Sequence, residues 1–291
     1  MNMLLTANLI EIEDGLINGV CSAFSNIMGK VQSLLTTNPK SWAVDNGIWN
    51  TIETLNNAVI SVSCQLVVLF FLIGFVESST DMKEELNLEK IFKLYIRIGI
   101  TQFFVVNSLA IVNYMFEMVT GLVRLVSYQN YELTTSGIGE HIYNMHDLSR
   151  VVFLFPTLLF TMLVPACAAI ILVMALMRLF RIYIAIPYGS LAFSTIASGS
   201  RHFEHIMPGF VKYMLSVLLE AFSLSIALSI GFGLLFSGGH GFVDLTGVVT
   251  SGHLVPATLS LLGSMINAVF LVVLCKMSQD VAGRALWLDR I

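Results

Sequence analysis

The sequence predicts an all-α polytopic membrane protein with about five transmembrane helices, and three observations carry that expectation. Of its 291 residues, 56% are hydrophobic and 12% charged, against about 25% charged in soluble domains. The apolar residues fall in long runs. No charged residue lies between Arg150 and Arg178, a stretch longer than the ~20 residues that a bilayer crossing needs. The basic residues also segregate to one side of those runs, as the positive-inside rule requires.

Residues 1–36 carry Leu5, Leu9, Ile12, Leu16, Val20, Phe24, Ile27, Val31 and Leu34 at three- and four-residue steps. This periodicity predicts one long amphipathic helix, with Gly15 or Gly19 as places where it could break. The helix lacks a Lys/Arg-rich polar face, so packing against protein is favoured over lying on lipid. Residues 37–50 follow as a turn-rich linker, with Trp42 and Trp49 placed to anchor at headgroup level. The chain is therefore divided into an extracytoplasmic amphipathic region, 1–53, and a multi-span membrane domain, 54–291.

The expected spans are 54–76, 91–126, 151–177, 208–236 and 254–276. The second is too long for a ~30 Å hydrocarbon core, so it either projects from the membrane or breaks near Asn107. One side of it is polar, with Arg97, Gln102, Asn107, Asn113 and Glu117. The third contains Pro156 and Pro165, which predict kinks rather than an end to a span buried among other helices. Residues 179–199, interrupted by Pro187 and Gly189, are expected to lie in the interface or to re-enter the membrane rather than to span it. The start of the chain has no positive region ahead of an apolar run, so insertion is expected to rely on the internal spans.

With the N-terminus outside and the C-terminus inside, ten of the fifteen basic residues fall inside and four outside, leaving Arg97 within a span. Arg178, Arg181, Arg201 and Lys212 form a basic cluster at the inner face. Their first expected role is to set topology; sequence-independent attraction to a nucleic-acid backbone is the second. The net charge of -4 supplies no bulk affinity for nucleic acid.

Intramembrane charge costs at least ~2.5–3.5 kcal/mol, so Arg97, Glu117 and Glu220 stand out. Glu220 lies about twelve residues into its span, on a helix that also carries Ser216, Ser223, Ser225 and Ser229. Such a face lines a water-filled conduit or makes an interhelical polar contact, and Arg97 is the candidate counter-charge. No nucleotide-binding loop and no HExxH motif occurs, and the serines have no triad-like setting, so no enzymatic role, cofactor or metal is expected. His202, Glu204 and His205 read as a solvated loop. Cys21, Cys64, Cys167 and Cys275 are scattered and read as packing residues.

Several segments together resemble a known family. They are Asn38-Pro39-Lys40-Ser41-Trp42, then Asn46–Ile52 (NGIWNTI), Gly74–Glu77 (GFVE), the opening of the second span, and Arg178–Pro187 (RLFRIYIAIP). These segments, with the hydropathy layout of residues 1–285, resemble TrbL-like polytopic membrane subunits of conjugative type IV secretion systems, in the Gram-positive conjugative-element branch. The resemblance implies a multi-pass, non-enzymatic channel or scaffold subunit in the bacterial cell membrane. It would form a homo-oligomer and work beside secretion ATPases, a coupling protein and other membrane subunits, with single-stranded DNA as a transient partner. A secondary transporter or solute channel using Glu220 and Arg97 is the alternative.

Overall fold

The structure is a computed structural model that describes residues 2–80, 88–127, 147–200, 202–235 and 254–285. All regular structure among them is helical. The helices are α1 (Asn2–Thr36), α2 (Pro39–Asp45), α3 (Trp49–Thr80), α4 (Leu88–Val106), α5 (Ser108–Val126), α6 (Asp147–Ser194), α7 (Ile206–Leu235) and α8 (Leu254–Ala285). A 3-10 turn, Thr195–Ser198, follows α6. Five stretches are long and apolar enough to cross a membrane: Trp49–Glu77, Ser108–Val126, Val152–Ser198, Ile206–Leu235 and Ala257–Val281. Their number is the expected one, and the chain is a multi-pass helical membrane protein by architecture. Large apolar side chains such as Leu125, Phe155 and Met162 are exposed at 72% or more, as helices solvated by lipid require.

Two helix boundaries bear on the sequence expectation. The 91–126 helix is interrupted at Asn107, one of the two outcomes expected for it. There the Phe103 carbonyl accepts both the backbone N–H of Asn107 at 3.1 Å and its side-chain amide at 2.9 Å. A side chain that competes for a helix carbonyl weakens the ladder locally. Only α5 then qualifies as a span, because α4 retains Glu89, Lys90, Lys93 and Arg97. The helix whose boundary differs from the expectation is α6. It runs unbroken for 48 residues through Pro156, Pro165 and Pro187, about 72 Å of helix. Residues 179–194 therefore continue the third span helix, and the chain does not reverse within them. Near the first two prolines, Thr157 donates to Phe153 O at 2.9 Å and Thr161 to Thr157 O at 2.8 Å.

The chain forms two compact units, and no boundary between them falls at residue 53. The first comprises Met1–Thr36, Val123–Leu176 and Phe222–Val281, so the N-terminal helix packs with span helices rather than standing as a region of its own. That helix is continuous through Gly15 and Gly19. Its buried stripe is Ile17, Val20, Phe24, Met28, Val31 and Leu35. Val20, Phe24 and Val31 are shared with the expected face, while Ile17, Met28 and Leu35 are buried in place of Leu16, Ile27 and Leu34, which are half-buried. Phe24 meets Phe232 at 6.0 Å between ring centroids. Gly231 lets α7 approach α8, since a Cβ there would overlap the Leu271 side chain.

Three helix C-termini in this unit are closed by side chains from other helices. Arg124 Nε donates to Thr36 O at 3.0 Å, Ser229 Oγ to Val126 O at 2.9 Å, and Asn267 Nδ2 to Leu235 O at 3.3 Å. The last carbonyls of a helix have no intrahelical donor, and lipid offers none.

The second unit comprises Thr37–Leu122, Met177–Ala221 and Ala282–Ile291. Val67, Val105, Phe193 and Ala197 form its core, ringed by Phe70, Phe71 and Phe104. Phe193 meets Phe104 at 5.7 Å and Phe210 at 6.0 Å. Inside this apolar packing, Ser63 Oγ donates to Ser190 Oγ at 3.1 Å and Gln102 Nε2 to Cys64 Sγ at 3.3 Å. Gly74 lies against the 3-10 turn, where a Cβ would overlap the Ser198 carbonyl.

Candidate functional site: a buried arginine–glutamate cluster

The second unit places three charged side chains together between α6 and α7. Arg178 and Arg181 stand three residues apart, so both project from one side of α6. Arg181 Nη1 donates to Glu220 Oε2 on α7 at 3.1 Å. The Arg181 side chain is 44% exposed and that of Glu220 only 6%. Arg178 is 3% exposed, and its charge lies within range to attract Glu220. Glu220 Oε1 and Arg178 Nε are buried without a hydrogen-bond partner among the described residues.

Two guanidiniums thus face one carboxylate, within stretches apolar enough to span a membrane. Each isolated charge there would be strongly unfavourable; close opposition makes the set tolerable. Chemically the cluster carries a net positive charge, with one carboxylate oxygen and one guanidinium N–H left to meet water, a proton or an anion.

One turn along α6, Tyr183 ties the same helix to the segment before α3. Its hydroxyl donates to Pro39 O at 2.8 Å, and its ring stacks on Trp42 at 6.2 Å and 14°. Helix α2 presents these groups because Asn38 caps its first turn, accepting from Lys40 N at 2.9 Å, while Pro39 occupies a first-turn position where no N–H is needed. Lys40 Nζ sits 5.5 Å from the Trp49 ring centroid. Trp49 is buried and Trp42 packs on Tyr183, so the expected linker with two headgroup anchors is instead a folded strap.

The other residues singled out in the sequence fall elsewhere. Arg97 is not the partner of Glu220: it lies on α4 against Gly199. Glu117 and Lys212 are exposed, on α5 and α7, and Arg201 lies outside the described residues. The expected basic cluster of four is thus divided, with Arg178 and Arg181 at Glu220. The serine face is divided too. Ser216 and Ser225 are buried, and Ser229 closes the end of α5. Among the described residues no cluster of three or more metal-ligating side chains occurs.

Sequence reasoning missed Arg181 as the ion-pair partner. The one available signal was the three-residue spacing of Arg178 and Arg181, which puts both on the same helical face. The Tyr183–Pro39 bond joins residues 144 positions apart and left no local signal. No family model, curated protein or solved structure matches the chain.

Proposed function

We propose that the chain is a non-enzymatic channel and scaffold subunit of a type IV secretion apparatus for conjugative DNA transfer. In this reading it sits in the bacterial cell membrane with its N-terminus outside and its C-terminus inside. It assembles with copies of itself and with other membrane subunits, and partner ATPases and a coupling protein supply the energy. The observation that carries the reading is where the resembling segments lie. Asn38–Trp42 and Arg178–Pro187 are remote in sequence, yet they meet through Tyr183, Pro39 and Trp42. Trp49, from the second resembling segment, receives Lys40, and Gly74, from the third, packs on Ser198. Scattered residues that hold one unit together are what a resemblance in architecture, rather than in catalysis, consists of.

The test is DNA transfer from donor cells that lack the gene, with and without a plasmid copy. Transfer should vanish and return with the copy; unchanged transfer would overturn the proposal. A second reading, a secondary transporter or solute channel, is favoured by one feature: the buried, incompletely bonded carboxylate of Glu220 beside Arg181. It requires solute uptake by the purified chain in liposomes, abolished by Glu220→Gln.

A further inference from the structure

We propose that the second unit binds a phospholipid with a primary-amine zwitterionic headgroup, phosphoethanolamine in type, at the end of its helices. A cavity of about 280 Å³ opens there, lined by Arg97, Thr195, Ser198, Ser200 and Glu204 among others. It lies where the apolar stretches Trp49–Glu77 and Val152–Ser198 end and Ile206–Leu235 begins, which is headgroup level for all three. The Arg97 guanidinium rests on Gly199, which has φ +55° and no side chain to displace it.

The hydrogen-bond inventory gives the cavity two chemical sides. Thr195 and Ser198 donate their hydroxyl protons to Ala192 O at 2.7 Å and Thr195 O at 2.9 Å, and Ser198 Oγ also accepts from Ser200 N at 3.4 Å, so the remaining lone pairs can meet a ligand only as acceptors. The Glu204 carboxylate adds a third acceptor group. Ser200 Oγ accepts from His202 N at 3.3 Å, leaving its own O–H to donate, alongside the Arg97 guanidinium. No ion pair joins Arg97 to Glu204 among the described residues. Donors with a positive charge and acceptors with a negative one, both lining one cavity, match a phosphate and an ammonium held two carbons apart. A lone anion would answer the Arg97 guanidinium but supply no cation for the Glu204 carboxylate.

A second cavity, about 380 Å³, shares Thr195 with the first. Its walls include Leu66, Phe70, Tyr188, Leu191 and Phe210. On α6, Tyr188 and Leu191 lie about one to two turns further into the apolar stretch than Thr195 and Ser198 of the polar cavity. The order from polar to apolar therefore runs along α6, as a headgroup and its acyl chain would.

The experiment uses the full chain in mild detergent, with lipid occupancy read by native mass spectrometry against added dioleoyl phosphatidylethanolamine, phosphatidylglycerol or phosphatidylcholine. Water-soluble glycerophosphoethanolamine and inorganic phosphate serve as tail-less probes. Phosphatidylethanolamine should bind about tenfold more tightly than either other lipid, the size of one charge-assisted hydrogen bond. Arg97→Gln should weaken it about tenfold. Glu204→Gln should abolish the preference over phosphatidylglycerol. Ser200→Ala provides a milder variant if Arg97→Gln fails to fold, and it should weaken binding in the same direction. Equal affinity for the three lipids, or a preference insensitive to Glu204→Gln, would overturn the proposal. Saturation by glycerophosphoethanolamine or phosphate at the concentration that saturates the lipid would equally overturn it, assigning the cavity to a soluble ligand.

Discussion

Removing the carboxylate of Glu220 should destabilise the protein more than removing either arginine that faces it. In Glu220→Gln the guanidiniums of Arg178 and Arg181 lose their common counter-charge. Arg178, 3% exposed, has no route to solvent. Breaking a buried ion pair costs about 3–5 kcal/mol. The Arg181 side chain is 44% exposed, so its share is screened, and the expected loss sits near the lower end, about 3 kcal/mol. That is roughly a hundredfold in the folded-to-unfolded ratio. Arg178→Gln instead leaves a neutral Arg181–Glu220 pair and should cost less. The two changes should also be strongly non-additive, because Arg178→Gln in the Glu220→Gln background removes the stranded charge and restores part of the lost stability. The assay is equilibrium unfolding in mixed micelles, followed by tryptophan fluorescence and helical circular dichroism for the wild type, both single variants and the double variant. A double variant less stable than Glu220→Gln by the full cost of Arg178→Gln would refute the reasoning, since it would mean that the two groups do not sense each other.

Other positions make independent predictions in the same assay. Tyr183→Phe removes the hydrogen bond to Pro39 O and leaves that carbonyl without its donor, for a loss of about 1–2 kcal/mol; Trp42→Ala should cost more, because the stacked ring is lost as well. Gly74→Ala drives a methyl into the Ser198 carbonyl, a backbone atom that cannot rotate away, and should cost about 1–3 kcal/mol with faster proteolysis at the Thr195–Ser198 turn. Ser229→Ala uncaps Val126 O and should lower stability by about 1 kcal/mol, while Ser223→Ala, with no hydrogen bond to a helix end, should change it by less than about 0.5 kcal/mol.

The helical class and the five spanning stretches could be read from the residue order, because burial in lipid demands long uncharged runs and a run is a local property. The interruption at Asn107 was legible for the same kind of reason: a helix longer than the hydrocarbon core, with an asparagine in its middle. The continuation of α6 to Ser194 was not. Pro187 and Gly189 mark a break in water, whereas a helix packed among others tolerates them. The burial of Ile17 over Leu16 and of Leu35 over Leu34 on α1 escaped too, since the members of each pair are equally apolar and only the neighbouring helices choose between them.

The candidate site divides along the same line. Glu220 announced itself as a carboxylate inside an apolar run, which is expensive wherever the fold puts it. Its partner did not. Arg97 and Arg181 are both single charges at the edge of apolar sequence, and the attraction of either depends on a separation that no residue order specifies. Helix packing brings Arg181 to Glu220 at 3.1 Å and lays Arg97 against Gly199. The cost of a buried charge is a property of one residue and its surroundings in sequence. Its neutralisation is a pairwise property that falls off with distance, and distance between remote residues exists only once the chain has folded.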